Sequence, residues 1–452
     1  MLQRVLIANR GEVAVRVIRA CRELALETVA VYSTADRDSL PVRLADRAVH
    51  VGPPPPPQSY LNIASLVAAA TTTGCDAVHP GWGFLAENAD FARACEENDL
   101  VFVGPRPETI ETMGDKVAAK EAVARAGLPL VPGSDGAATL DETRELGARI
   151  GFPLLLKAAA GGGGRGMRLV ARPDELDSTY RTAAAEAEAA FSDGSLYVEK
   201  AVPDARHVEI QVLGDGEGGV LTLGERDCSV QRRHQKLVEE APSPAITPDL
   251  RAEMEEAAAR ACAELRYRGA GTTEFLVDAE RRFYFIEMNT RLQVEHPVTE
   301  LLTGVDLARA QLRVAAGDGL PRTGRAELTG HAIEVRINAE DPARDFLPAP
   351  GTVTRFRPPL GPGVRVDTHI EDGYRIPPFY DSLVAKVIVW AEDRPAALAR
   401  MARALEELEL EGVPTTRELA LDVVRNPSFA GGDYTTAFLT EAAADLRALE
   451  AA

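Results

Sequence analysis

The sequence has 452 residues, 45% hydrophobic and 26% charged, the make-up of a globular protein with room for about three domains. A formal net charge of -19 excludes general nucleic-acid binding, so any anionic ligand must be held by a local basic cluster. No apolar run is long enough to span a membrane, and Cys21, Cys75, Cys95, Cys228 and Cys262 have no paired short spacing, which excludes a disulfide framework or zinc site and leaves them as core residues. The amino terminus, Met1-Leu-Gln-Arg-Val-Leu-Ile-Ala, runs straight into a strand pattern without a signal-peptide signature, so a cytoplasmic location is expected.

Residues 1–112 alternate β-branched runs with helical stretches. Arg4–Ala8, Thr28–Tyr32, Arg47–Val51, Asp76–Val78 and Val101–Val103 predict the parallel strands of a doubly wound sheet. The first strand-to-helix turn, Asn9-Arg-Gly-Glu-Val-Ala14, is not the glycine fingerprint of dinucleotide folds. Gly52-Pro-Pro-Pro-Pro-Pro57 is expected to be a loop, because consecutive prolines supply no amide donors.

A smaller unit follows at 130–204. Gly151-Phe-Pro-Leu-Leu-Leu-Lys157 reads as a buried strand, then comes Ala158-Ala-Ala-Gly-Gly-Gly-Gly-Arg-Gly166, then a second strand over Met167–Ala171. Four glycines between Lys157 and Arg165 suit either a flexible hairpin tip or a phosphate cradle, and the Gly-Lys-Ser/Thr ending of a P-loop is missing. Ala183–Ala190 predicts a helix and Leu196–Val202 a strand returning to the body.

From residue 205 strands and helices mix. His207–Leu213 and Val220–Leu223 read as strands, and Arg226, Arg232, Arg233 and Lys236 supply the local basic cluster that the net charge demands. Thr247 and Pro248 form the cap and first turn of a helix carrying Leu250, Met254 and Leu265. Thr272–Asp278 and Phe283–Asn289 predict a hairpin around Ala279-Glu-Arg-Arg282, pairing Asp278 with Phe283 and, by the same register, Glu274 with Glu287. Like charges directly opposite destabilise a sheet. A divalent cation between them removes the repulsion and Asn289 adds a third oxygen, so Glu274, Glu287 and Asn289 form a candidate magnesium or manganese site. Glu287, Asn289, Arg291, Gln293 and Glu295 keep two-residue spacing, which taken alone fits a solvated strand face. Near the carboxyl end Leu398, Met401, Leu405 and Leu408 recur at helical spacing as a core stripe.

Longer motifs narrow this reading. His79-Pro-Gly-Trp-Gly-Phe-Leu85, Lys157-Ala-Ala-Ala-Gly-Gly-Gly-Gly-Arg-Gly-Met-Arg168, Glu225-Arg-Asp-Cys-Ser-Val-Gln-Arg-Arg-His-Gln-Lys236 and Glu287-Met-Asn-Thr-Arg-Leu-Gln-Val-Glu-His-Pro-Val-Thr-Glu300 resemble the biotin carboxylase component of biotin-dependent carboxylases, within the ATP-grasp superfamily. His331-Ala-Ile-Glu-Val-Arg-Ile-Asn-Ala-Glu-Asp341 and Asp381-Ser-Leu-Val-Ala-Lys386 extend the resemblance over nearly the whole chain. It implies an α/β and α+β multidomain fold, with a Rossmann-like doubly wound domain at 1–112, an ATP-grasp domain at 113–330 whose mobile lid is about 130–204, and a C-terminal region at 331–445. The implied activity is ATP-dependent carboxylation of biotin by bicarbonate through carboxyphosphate, as the first half-reaction of an acyl-CoA carboxylase of the kind serving fatty acid biosynthesis.

The resemblance also implies residue roles. Lys116, Lys157 and the amides near Gly163 and Gly164 hold ATP phosphates; Glu199, Lys200, Ala201 and Val202 border the adenine; His207, Gln231 and His234 surround the nucleotide. Glu274, Glu287 and Asn289 carry the metal. Lys236, Arg291, Gln293 and the amide of Val294 bind bicarbonate, Glu295 takes its proton, and Arg336 stabilises the biotin enolate. The strand should then loosen after about Thr290 to free the Val294 amide. One position departs from the family: Trp82 stands where tyrosine is usual beside the active site, and its indole is expected to reshape the biotin cleft.

ATP, magnesium or manganese, and carrier-bound biotin are the implied cofactors and substrates. The implied partners are a biotin carboxyl carrier protein, carboxyltransferase subunits and a second copy of the chain as a homodimer. No methionine is followed by lysine, so the biotin attachment motif is absent and a separate carrier is expected. Two alternatives compete: another ATP-grasp ligase joining a different carboxylate to nitrogen, and a non-catalytic nucleotide-binding paralogue. The set Arg291, Gln293, Glu295 and Arg336 counts against the first, and the intact carboxylates with Lys236 count against the second. Without the motifs, His207 and His234 would read as surface groups, Arg291 as a counter-charge to Glu287 and Glu295, and Asp381 with Lys386 as a local ion pair.

Overall fold

The computed structural model describes residues 2–159, 166–233, 235–442 and 446. Near the amino terminus, Arg4–Ile7, Glu27–Ser33, Arg47–Gly52, Ala77–His79 and Val101–Phe102 form a five-stranded parallel sheet. Arg4–Ile7 lies at its centre, between Glu27–Ser33 and Ala77–His79, so the chain reverses direction of travel beside it. Such a switch point opens a crevice at the strands' carboxyl ends. Two loops meet in it: Asn9 Nδ2 donates to the carbonyls of Pro80 (2.7 Å) and Trp82 (2.8 Å). Val5, Leu6 and Ile7 are fully buried, as a strand covered on both faces requires. The proline run carries a short 3-10 turn over Pro56–Gln58.

Leu154–Ala158 is the middle strand of a small antiparallel sheet, flanked by Met167–Val170 and Leu196–Lys200. Helices Leu140–Ile150 and Leu176–Phe191 cover it, burying Leu146, Leu154, Leu156, Val170 and Leu196. Thr139 and Glu142 close a reciprocal capping box on the first helix, which fixes where it starts.

The largest sheet has nine strands. Phe283–Asn289, Arg268–Val277, Arg206–Asp215, Val220–Arg232, Gln235–Ala241, His331–Asn338, Leu383–Ala391 and Val364–Thr368 follow one another, and Gly324–Arg325 pairs with Val220–Arg232. Strands from beyond residue 330 therefore continue the sheet begun before it. Helix Pro248–Glu264, with Thr247 Oγ1 accepting from Leu250 N, packs Met254, Ala258 and Cys262 beneath one end. Helix Arg394–Glu407 packs Met401 and Leu405 beneath the other.

Two expectations need correcting here. Val220–Leu223 continues to Arg232, because Glu225, Asp227 and Ser229 are buried polar residues that break the apolar signal without breaking the strand. The hairpin does oppose Glu274 to Glu287, but Phe283 pairs with Val277, not Asp278. Phe275 faces Phe285, so Ile286 is an extra residue forming a bulge. Asp278 instead closes the turn, accepting from Arg282 N (2.8 Å) and Arg282 Nε (2.7 Å). The strand ends at Asn289, which leaves the following residues free to turn. All five cysteines are buried and unpaired. Among the described residues no helix is long and apolar enough to cross a membrane.

Candidate active site

Below the end of strand Phe283–Asn289, one ammonium gathers three carboxylates from three elements. Lys236 Nζ donates to Glu209 Oε2 (2.6 Å), Glu295 Oε1 (2.6 Å) and Glu274 Oε1 (2.9 Å). Glu295 is fully buried, and its other oxygen accepts from Arg336 Nη2 at 2.9 Å. Arg336 also donates through Nε to Glu239 Oε1 (2.6 Å). Arg291 binds Glu87 Oε2 through Nε (2.8 Å), Asn289 Oδ1 through Nη2 (2.9 Å) and Gln293 Oε1 through Nη1 (3.0 Å). Gln293 Nε2 and Asn289 Nδ2 converge on Glu274 Oε1, at 3.1 and 2.8 Å. Lys236, Glu274, Asn289, Arg291, Gln293, Glu295 and Arg336 thus form one hydrogen-bonded constellation, with Val294 buried inside the same loop.

Its electrostatics follow from burial set against pairing. Burial alone would raise the Glu295 carboxyl, yet Lys236 and Arg336 outweigh it and hold Glu295 well below the usual carboxylate range. Burial likewise works against the Lys236 ammonium, but Cys228 and the three glutamates reverse this and push it well above its ordinary value. Glu239 behaves oppositely: burial exceeds the pull of Arg336 and lifts it to about 7.

Glu274 and Glu287 face each other across the hairpin. The Glu274 charge, followed by burial, pushes the Glu287 carboxyl up, the response expected of two anions competing for one place. The two opposed carboxylates are hard oxygen donors that fit magnesium or manganese. Asn289 turns its Nδ2 to Glu274 and its Oδ1 to Arg291, so its oxygen would join them only on leaving Arg291. His207 Nε2 lies 2.8 Å from Glu274 Oε2, and Gln231 Nε2 lies 3.4 Å from His207 Nδ1. Desolvation disfavours charge on His207, but Glu274 prevails and raises it.

The small sheet supplies a second cluster. Lys157 and Lys120 both pair with Glu199, and the Tyr197 ring lies 5.6, 4.7 and 5.7 Å from the ammonium groups of Lys116, Lys120 and Lys157. Burial, then repulsion from Lys157, lowers the Lys116 ammonium. Glu287 counteracts that lowering, so this cluster lies within electrostatic reach of the carboxylate pair. Lys200 Nζ donates to the Phe152 carbonyl (2.6 Å), and Ala201 N donates to the Pro153 carbonyl (3.0 Å), with Val202 half-buried next to it. Gly163, Gly164 and His234 lie outside the described residues.

Several sequence expectations change. The basic cluster is dispersed: Arg226 is fully buried against Glu209 (2.6 Å), and Arg232 and Arg233 pair with Asp345, which leaves Lys236 in the constellation. Lys386 does not pair with Asp381, whose Oδ1 caps Leu383 N (2.8 Å); it faces Glu12 instead. The Trp82 indole N–H donates to Glu12 Oε1 at 3.0 Å. Arg291 takes Glu87 as its ion-pair partner rather than Glu287 or Glu295. Sequence reasoning missed Glu87, Glu209 and Glu239. Glu209 stands two residues after His207, and this same-face spacing on a predicted strand was the available signal; Glu87 and Glu239 gave none.

Comparison with known proteins gives the constellation a family. Residues 1–110 match the biotin carboxylase N-terminal domain, 115–323 the ATP-binding domain of the carbamoyl-phosphate synthase L chain, and 334–441 the biotin carboxylase C-terminal domain. The chain is 53% identical over 440 residues to a biotin carboxylase of Nostoc sp., covering 97% of this chain and 98% of that one. It is 51% identical over 442 residues to biotin carboxylase 1 of Bacillus subtilis, with the same coverage of 97% and 98%. Among solved structures, the biotin carboxylase domain dimer of Hydrogenobacter thermophilus 2-oxoglutarate carboxylase, in complex with MgADP, ADP and bicarbonate, superposes with a TM-score of 0.93 at 48% identity and 99% coverage of both chains. A Campylobacter jejuni biotin carboxylase β-γ-ATP complex gives 0.93 at 46% identity, covering 98% of this chain and 99% of that one. With three matched domains in order and about half of all residues shared over its full length, this chain belongs to the biotin carboxylase family.

Proposed function

We propose that the chain uses ATP and bicarbonate to carboxylate biotin carried on a separate protein, through carboxyphosphate. The observation that carries this reading is the fully buried Glu295, gripped by Lys236 and Arg336 in the same loop as Arg291 and Gln293. An anion entering between Lys236, Arg291, Gln293 and the Val294 amide would draw Lys236 toward itself. Glu295 would then lose part of the charge that holds its carboxyl low, and its basicity would rise where a proton must be removed. Bicarbonate, its proton passed to Glu295, attacks the γ-phosphorus of ATP; carboxyphosphate forms and ADP leaves. Carboxyphosphate splits into carbon dioxide and phosphate, and phosphate takes the proton from the biotin ureido nitrogen. Arg336 stabilises the enolate that attacks carbon dioxide.

Lys116, Lys157 and the amides of Gly163 and Gly164 are assigned to the phosphates; Glu199, Lys200, Ala201 and Val202 to the adenine; and His207, Gln231 and His234 to the space around the nucleotide. Magnesium or manganese held by Glu274, Glu287 and Asn289 would neutralise phosphate charge when bound. The division into 1–112, 113–330 and 331–445, with residues 130–204 closing over the nucleotide, belongs to the same reading, and closure would keep water from the intermediate. A biotin carboxyl carrier protein and carboxyltransferase subunits are the partners, the chain acting as a homodimer. Relatives that join biotin carboxylase to 2-oxoglutarate or pyruvate carboxylation leave an acyl-CoA as one of several final acceptors.

Phosphate release tests the proposal. It should require bicarbonate and rise with free biotin, and Glu295→Ala should abolish the biotin-dependent part. Rapid hydrolysis indifferent to both additions contradicts it.

A further inference from the structure

Lys386 is fully buried and takes no part in the chemistry proposed for the site. Lys386 stands on the strand Leu383–Ala391, directly opposite Arg336 on one neighbouring strand and Asp367 on the other. Two cations placed directly opposite repel, and burying a lysine is costly unless its partners are close. Both side chains instead reach the same loop at consecutive residues. Arg336 Nη2 meets the Glu295 carboxylate at 2.9 Å, and Lys386 Nζ donates to the Val294 carbonyl at 2.8 Å.

The lysine is itself held from another part of the fold. Glu12 Oε2, on the buried face of helix Gly11–Glu23, lies 3.3 Å from Lys386 Nζ, and Asp367 Oδ2 lies 3.8 Å away. The other Glu12 oxygen accepts the Trp82 indole N–H at 3.0 Å. A continuous polar chain therefore runs from Trp82 through Glu12 and Lys386 to the backbone of residue 294.

We infer that Lys386 is a positioning residue for bicarbonate: with Arg336 it clamps residues 294 and 295 from one strand pair, while Glu12 and Trp82 hold it in place. The inference rests on the proposed function, since Val294 and Glu295 matter to bicarbonate under that reading. A carbonyl pinned by an ammonium fixes the peptide plane between residues 294 and 295. That plane carries the Glu295 N–H, while the Val294 N–H lies in the preceding plane across the Val294 φ and ψ. Holding the carbonyl narrows that backbone and limits how far the Val294 amide can swing relative to the Glu295 carboxylate before substrate arrives. Trp82 on this account acts through Glu12, so its hydrogen bond serves the bicarbonate loop rather than biotin.

The test is a split between substrates in steady-state kinetics. Lys386→Met should raise the KM for bicarbonate about tenfold or more, as loss of a charged hydrogen bond predicts, with the KM for ATP within about twofold of the parent. Trp82→Phe keeps an aromatic ring but deletes the indole N–H. It should raise the bicarbonate KM about two- to tenfold and leave the biotin KM unchanged. A role confined to stability would lower the amount of active enzyme and hence kcat for every substrate alike. Should Lys386→Met fail to fold because buried Glu12 loses its counter-charge, the Trp82→Phe split decides. An unchanged bicarbonate KM in both variants, or a Trp82→Phe effect on biotin KM instead, overturns the inference alone; a parent without bicarbonate-dependent turnover overturns the reading beneath it.

Discussion

Replacing Lys236 with methionine keeps most of the aliphatic stem and deletes the ammonium that donates to Glu209, Glu274 and Glu295 at 2.6, 2.9 and 2.6 Å. A charged hydrogen bond contributes about 1.5–3 kcal/mol. Three such bonds do not simply add, because one desolvated cation serves all of them. The better guide is the cost of removing one partner from a buried ion pair, about 3–5 kcal/mol, and that is the destabilisation expected near pH 7. Glu274 and Glu295 lie below their ordinary 4.5 in the folded chain, so the stability they contribute is present above that value and lost as pH falls through the folded values. Lys236 is raised above 10.5, so its contribution is present below 10.5 and lost only as pH rises beyond it. The deficit of Lys236→Met should therefore be full at neutral pH and shrink only as pH is lowered below about 4.5. Urea unfolding of parent and variant at several pH values, followed by intrinsic fluorescence, measures it. A variant as stable as the parent at neutral pH, or a deficit that widens on acidification, refutes this account of the constellation.

Other variants separate the assigned roles. Glu287→Gln removes the repulsion from Glu274, so the ligand-free protein should unfold at the same or a slightly higher temperature, while magnesium-dependent nucleotide affinity measured by calorimetry falls about tenfold or more. Unaltered affinity would show that Glu287 is not a ligand. Lys157→Ala should weaken nucleotide binding about tenfold or more and leave the bicarbonate KM near that of the parent; the reverse pattern would argue against a phosphate role. Glu239, raised from 4.5 to about 7, contributes stability present below 4.5 and lost as pH rises through 7. Glu239→Gln should flatten the thermal midpoint across that window, and a slope identical to the parent's would contradict the assignment.

What the sequence revealed and what it hid follow from the range of the interactions. Parallel strands such as Glu27–Ser33 were legible because burial on both faces leaves a local apolar run. The Glu274–Glu287 opposition was legible because a hairpin is a local structure, and the bulge at Ile286 displaced only the end nearer the turn. Strand Val220–Arg232 was half hidden, since Glu225, Asp227 and Ser229 are buried by partners far away in sequence, such as Arg206 and Arg251. The same reason concealed Glu12, Glu87 and Glu239: each meets its cation across at least 97 residues, and no spacing within an element announces such a contact. Conversely, Arg226, Arg232 and Arg233 looked like a cluster because they are neighbours along the chain. In the fold their side chains go to Glu209 and to Asp345 on different parts of the molecule.

The central claim is that an oxygen of bicarbonate, deprotonated at Glu295, attacks the γ-phosphorus of ATP. Incubating the protein with ATP, magnesium, biotin and bicarbonate labelled with heavy oxygen, then determining the isotope content of the phosphate by mass spectrometry, tests it most directly. The account predicts one labelled oxygen in each phosphate released, because the new phosphorus–oxygen bond survives when the carbon–oxygen bond of carboxyphosphate breaks. Phosphate whose new oxygen comes from water would contradict it.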